Sequence, residues 1–154
     1  MSDSIETRLS EDGYYVCTTV GVSMKPMLRN RRDRVVILPV GGTPLCKWDL
    51  PLYRTSDGRY LLHRIIGIRE DGTYIVRGDN TYHLEYVSHD AIVGVMSEFY
   101  RGQRHILASN KRYRRYAAFW NAIYPVRRFC RTPLFWWHAL QRKCKKKKDV
   151  PSKN

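Results

Sequence analysis

Between Tyr14 and Leu107, short apolar, β-branched and aromatic runs recur at close intervals, each ended by a glycine, a proline or an Asp-Gly pair. That rhythm excludes long helices over this part of the chain and favours strand after strand, each closed by a turn. Tyr14 to Val20, Asp33 to Leu38, Tyr60 to Ile68, Thr73 to Arg77, Ala91 to Tyr100 and Arg104 to Leu107 read as strands. Leu45 to Arg54 reads as another, broken at Pro51. Thr55-Ser56-Asp57-Gly58 and Glu70-Asp71-Gly72 read as hairpin turns. The expected fold is mainly β, with a barrel-like or two-sheet architecture. Ahead of it, Ser2 or Ser4 caps a short helix with Glu6 in its first turn, ending near Asp12-Gly13.

After Ser109 the texture changes. Tyr113, Ala117, Trp120 and Tyr124 recur at helical spacing, and Lys111, Arg112, Arg114 and Arg115 crowd the first turns. Pro125 is expected to end this helix, 126–132 to be a mixed basic and apolar link, and Pro133 to open a second piece containing Phe135, Trp136, Trp137 and Leu140. Lys145 to Lys148 form a polylysine run before a disordered end. Charge divides the same way. Residues 1–100 carry 12 Lys and Arg against 13 Asp and Glu, whereas 101–154 carry 16 against one. The chain therefore reads as a near-neutral domain, 1–109, followed by a basic, amphipathic, aromatic tail, 110–154.

Within the β region one stretch stands apart, Gly21-Val22-Ser23-Met24-Lys25-Pro26-Met27-Leu28, where a serine sits between a glycine and a proline able to set a rigid bend. Three further groups follow: Asp33-Arg34-Val35-Val36-Ile37-Leu38, then His63-Arg64-Ile65-Ile66-Gly67, then Gly78-Asp79-Asn80. In order and rough spacing this resembles the boxes of the signal peptidase and LexA-like serine peptidases: S-M-x-P, an R-D-led strand, H-R ahead of an apolar strand, and G-D-N. The likeness covers residues 14 to 100. Taken singly, each group has a plainer reading: Ser23 as a helix N-cap, His63 as a hydrogen-bonded core or edge residue, Asp79 as a turn residue beside Asn80.

The resemblance implies a coiled β-sheet domain with its active site along one edge, and it implies roles. Ser23 is the nucleophile. His63 stands where bacterial signal peptidases and LexA-like proteins carry a lysine base, and where the endoplasmic-reticulum and archaeal signal peptidases carry histidine. A histidine base needs a carboxylate on its other nitrogen to hold the tautomer. Asp79 matches the family acid and is expected to fill that role, with Glu85, six residues on, as a possible supporting acid. The backbone N–H of Ser23 is the expected oxyanion donor. Gly21 stands where many signal peptidases place a second hydroxyl. The implied substrate is a signal or leader peptide with small residues flanking the scissile bond, bound as an added strand. A LexA-like self-cleaving regulator is disfavoured, because 22 residues ahead of Ser23 are too few for a DNA-binding domain and no Ala-Gly bond is present.

Cys17, Cys46, Cys130 and Cys144 have no zinc-like spacing, so no metal and no cofactor is expected. Beside a membrane, Cys130 and Cys144 are sites open to acylation. Met1 to Ser10 holds Asp3 and Glu6 and no apolar run, so no signal peptide is expected. The longest uncharged runs, Ala117 to Val126 and Thr132 to Gln141, fall short of the ~20 residues a spanning helix needs. Signal peptidases are usually anchored by such a helix, and this chain departs from them there. For the tail, three readings compete: an anionic membrane surface met through residues 110–148, nucleic acid, and simple packing on the β domain. The first is preferred, which makes the protein peripheral to a membrane, on its cytoplasmic face, with no specific nucleic acid. The class outside enzymes is a membrane- or nucleic-acid-binding module whose boxes are structural.

Overall fold

The computed structural model describes residues 4–130, in two compact units, Met1–Asn121 and Ala122–Asn154. Helix α1 (Ile5–Asp12) opens the first unit, with the Ser4 side chain accepting from the Thr7 amide and Gly13 closing it in the left-handed conformation, φ 72°. Nine strands follow: β1 (Tyr15–Thr18), β2 (Arg34–Pro39), β3 (Pro51–Arg54), β4 (Tyr60–Leu62), β5 (Arg64–Ile68), β6 (Tyr74–Arg77), β7 (Glu85–Val87), β8 (Ile92–Arg101) and β9 (Arg104–Leu107). Helix α2 (Lys111–Ala122) ends the unit.

The strands form a mainly β fold of two antiparallel sheets. The larger curls into a half-barrel in the order β1-β2-β8-β3-β4, with β9 added to β8. The smaller runs β5-β6-β7. Strand β8 is long enough to serve β2 along its length, β3 near its start and β9 near its end. Each sheet has its own core. Val35, Ile37, Leu50, Leu52, Met96 and Phe99 fill the first, with Leu9 of α1 and Met24, Met27 and Leu28 of the serine stretch. Tyr53, Ile65, Tyr74, Val76 and Val87 fill the second.

The structure redraws the chain's expected course at four points. Tyr60 to Ile68 is not one strand: β4 belongs to the large sheet and β5 to the small one, and the break between them is His63. Strand β7 was not foreseen, since Glu85-Tyr86-Val87 is too short to show a period, and pairing with β6 defines it. Helix α2 is no free tail. Tyr113 and Ala117 are buried in the first unit, so the compact unit runs to Asn121 rather than to 109. Pro125 does not end the helical course either, because after a turn at Ile123 residues 124–130 are helical again, with the proline in the first turn where its missing N–H costs nothing. The second aromatic piece after Pro133, Lys145 to Lys148 and Cys144 lie outside the described residues.

Candidate active site

Ser23 lies on the turn between β1 and β2, a stretch too polar and too rich in bends to pair as strand. Gly21 has φ 109°, a conformation a side chain would strain, and its amide donates to Asn30 Oδ1 at 2.8 Å. Met24, Met27 and Leu28 anchor the turn in the large-sheet core and leave Ser23 half-buried. Asp33, fully buried at the start of the next box, accepts from the Arg29 amide and guanidinium and lies 3.5 Å from Arg101 Nε. Burial alone would raise its pKa, but the Arg29 hydrogen bonds, with the Arg29 and Arg101 charges, hold it below the usual carboxylate range. On the other side, Arg101 Nη2 donates to the carbonyls of Pro26 and Met27. The serine turn is thus held from behind by a carboxylate and two arginines.

From the front it is held by Gly78-Asp79-Asn80. The Asn80 amide donates to Ser23 O at 2.7 Å and Asn80 Nδ2 to Val22 O at 3.1 Å. A Cβ on Gly78 would stand 2.8 Å from Ser23 O and 3.0 Å from Ser23 Cβ, so only glycine lets the two segments come this close. Strand β5 pairs with β6 in a register that sets Arg64 against Arg77. His63 itself lies just outside this ladder, between β4 and β5. The serine turn and the Gly78-Asp79-Asn80 turn therefore meet here, while among the described residues no hydrogen bond joins Ser23 Oγ to His63.

The polar groups around His63 sort differently from expectation. Asp79 lies almost wholly buried and its two oxygens accept from Arg64 Nε and Nη2, both at 2.8 Å. The carboxylate at His63 Nδ1 is Glu85, with Oε1 at 3.1 Å. Glutamate has the extra methylene, and from β7 that length lets it reach an imidazole which Asp79, committed to Arg64, influences through charge. The sequence order of the acids gave the wrong principal partner.

A third residue, unassigned by sequence reasoning, completes the group. Tyr53 of β3, buried, donates to Glu85 Oε2 at 2.6 Å, and its oxygen lies 3.0 Å from His63 Nδ1. Burial and the Glu85 carboxylate push the Tyr53 phenol far up, so it keeps its one proton and points it at Glu85. Tyr53 O and Glu85 Oε1 can therefore only accept at Nδ1. The imidazole proton must sit on Nδ1, which leaves the Nε2 lone pair available, the tautomer a general base requires. Burial lowers the His63 pKa, the Glu85 and Asp79 charges oppose this, and the balance lies below the ordinary value.

Arg64 was another omission. It is fully buried, and its guanidinium spends its donors on Asp79, on Trp48 O at 3.0 Å, on the Tyr113 hydroxyl at 3.0 Å and on Met27 Sδ at 2.8 Å. One side chain therefore ties β5, the 78–80 turn, α2 and the serine turn together. Helix α2 adds Trp120 Nε1 donating to Asp79 O at 2.9 Å, and Asn121 Oδ1 accepting from Arg77 at 2.7 Å. The signal for this was the H-R pair in the sequence, whose arginine stands on an otherwise apolar strand where only a paired charge is tolerated.

Ser23 opens onto a cleft of about 230 Å³ between the two edges of the half-barrel, with Tyr15 and Cys17 of β1 on one wall and Tyr60 and Leu62 of β4 on the other. No charged side chain lines it. Two strand edges facing one another across an uncharged cleft can take an extended peptide by backbone pairing. Burial pushes the Cys17 thiol up, so it stays protonated and is a poor nucleophile beside Ser23. Among the described residues the Ser23 amide makes no hydrogen bond, which leaves it open to a developing oxyanion. Of the other histidines, His89 meets Tyr74 and Gly41 O, and His105 meets Glu98. Among the described residues no cluster of three or more His, Cys, Asp or Glu is placed to hold a metal ion, and no helix is long and apolar enough to cross a membrane. The sequence matches no protein-family model and no curated protein.

Proposed function

We propose that the protein is a serine endopeptidase of the signal peptidase type, which cleaves signal or leader peptides bound as an extended strand in the cleft between β1 and β4. Ser23 Oγ attacks the scissile carbonyl and His63 Nε2 takes its proton. Glu85, at Nδ1, stabilises the imidazolium that forms, and Tyr53 holds Glu85 in place. The Ser23 amide receives the oxyanion. The imidazolium then protonates the leaving amine, and water, activated by the same nitrogen, releases the acyl group. Asp79 serves as the buried counter-charge of Arg64 rather than as the histidine's acid. The observation that carries this reading is the Tyr53–Glu85–His63 arrangement, which fixes the proton on Nδ1.

The test is covalent labelling by an active-site serine probe, read by intact mass. Wild type should take up one equivalent, and Ser23→Ala and His63→Ala none, with all three folded. Labelling of Ser23→Ala, or none of wild type, would leave a peptide-binding module.

The partner surface belongs to the same proposal. Through residues 110–148 the protein meets an anionic membrane from the cytoplasmic side, as a peripheral enzyme. The excess of Lys and Arg after residue 100 supports this, as does the exposure of Phe119, Val126 and Phe129 among basic neighbours.

A further inference from the structure

Behind the serine turn, between the β8–β9 hairpin and the first turns of α2, lies a second groove, of about 590 Å³. Ile106 and Tyr116 give it half-buried apolar surface beside the almost wholly buried Met27, Phe99 and Tyr113, Arg101, Arg104 and Arg112 line it too, and no Asp or Glu does. Arg101 is already engaged with Asp33 and the Pro26 and Met27 carbonyls. Arg104 and Arg112 are exposed and pair with no acid among the described residues. Two guanidinium groups with no acid partner, in a groove that also presents aromatic and aliphatic side chains, suit a ligand with an anionic head and a carbon body.

We propose that this groove receives the phosphate-bearing headgroup of an anionic phospholipid, with Arg104 and Arg112 on the phosphate and the aromatic and aliphatic side chains against the glycerol and first acyl carbons. The inference rests on the membrane reading above and narrows it from a basic tail to a defined site in the folded unit. The groove has the size of a small-molecule site, not of a track for a nucleic-acid strand. Along α2, Arg115 and Phe119 follow Arg112 on the exposed side, Phe119 being 61 % exposed, which sets cations beside an apolar side chain as interfacial helices do. Because Arg101 links the groove to the Pro26 and Met27 carbonyls, a seated headgroup would fix how the serine turn faces the membrane.

The experiment uses the full chain with vesicles of phosphatidylglycerol in phosphatidylcholine, and with phosphatidylcholine alone. Wild type, the double variant Arg104→Gln/Arg112→Gln, and a variant with Lys145, Lys146, Lys147 and Lys148 all changed to Gln are compared in sedimentation. The double variant, with its thermal unfolding unchanged, should bind phosphatidylglycerol vesicles roughly thirtyfold more weakly, at about fivefold per arginine. Soluble short-chain phosphatidylglycerol should shift the Tyr113 and Phe99 ring signals of wild type, and glycerol phosphate at equal concentration should not. If the double variant binds as wild type does while the lysine variant does not, the groove is wrong and the membrane reading stands. If wild type ignores phosphatidylglycerol vesicles, both fall. Equal ring shifts from glycerol phosphate would make it a free-phosphate site, and displacement from vesicles by a single-stranded oligonucleotide with the same ring shifts would make it a nucleic-acid site.

Discussion

Replacing Asp79 with Asn should damage the fold before it touches the chemistry, and replacing Glu85 with Gln should do the reverse. The Arg64 side chain is 0 % and the Asp79 side chain 1 % exposed, so neither charge has water to fall back on. Asn keeps the shape and one acceptor but removes the negative charge, and arginine cannot release its proton to escape. Breaking one side of a buried pair costs about 3–5 kcal/mol. A domain of this size holds only about 5–15 kcal/mol in all. At about 2–6 °C per kcal/mol, Tm should fall by roughly 6–30 °C. Glu85 is a different case, with its side chain 26 % exposed. The neutral His63 can still donate Nδ1–H to a glutamine carbonyl, but the Tyr53 hydroxyl then faces an amide that cannot accept, so the loss of stability should be about 1–3 kcal/mol, below that of Asp79→Asn. On the proposed mechanism the base changes as well. Without the carboxylate, the charge that holds the His63 pKa up against burial is gone, so the acidic limb of activity moves to lower pH. The imidazolium formed in the transition state loses its partner, and turnover should drop roughly a hundredfold or more. Thermal unfolding by circular dichroism, run beside peptide cleavage or probe labelling against pH, reads both effects. The reasoning fails if Asp79→Asn keeps its Tm within a few degrees and moves the acidic limb while Glu85→Gln leaves that limb in place.

Three other outcomes are expected. Gly78→Ala should cost about 1–3 kcal/mol by overpacking, since the new methyl meets Ser23 backbone, and should abolish serine labelling in whatever fraction remains folded. Because the His63 pKa is lowered in the fold, its ring should be neutral and Nδ1-protonated by ¹⁵N NMR at pH 6.5, and the stability it contributes should be full above about 6.5 and decline as pH falls toward the folded-state value. A chain ending at Ser109 should fail to give dispersed NMR signals, because it lacks Tyr113, whose truncation alone is worth about 3–5 kcal/mol, and leaves an Arg64 donor unmet.

Much of the fold was legible because strand rhythm and turn chemistry are local. Ser4 and Gly13 bound α1, and Asp57-Gly58 and Asp71-Gly72 close hairpins, as their residue types require. What was not legible depends on which sheet a strand joins. Nothing in Leu61-Leu62-His63-Arg64 shows that the chain leaves one sheet for another at the histidine. The same holds at the site. Asp79 and Glu85 are equally acidic in the sequence, and only the capture of Asp79 by Arg64, across 15 positions, decides which one is left for His63. Tyr53 could not be found by spacing at all, since its partners lie 10 and 32 positions away. The packing of the basic helix was hidden for a related reason: its period announced an apolar face but not what that face would cover.

The position of His63 at the junction explains why its orientation needs so many distant residues. A histidine inside a strand has its ring direction set by the ladder, but here the ladder stops at Leu62 and resumes in another sheet at Arg64. The ring is instead fixed from both sides, by Tyr53 on β3 of the large sheet and by Glu85 on β7 of the small one. Their mutual bond at 2.6 Å therefore also joins the two sheets. Any shift of one sheet against the other lengthens at least one of the three contacts and frees the tautomer. Arg64, the next residue, opposes that shift, since its donors reach the Trp48 carbonyl, the serine turn, the 78–80 turn and α2 together. A buried charge is a costly way to gain stability, and an apolar residue would pack as well. No apolar residue could register four segments to within a hydrogen bond, and that registration holds the serine turn, the 78–80 turn and the strand that starts just after His63 in one fixed arrangement.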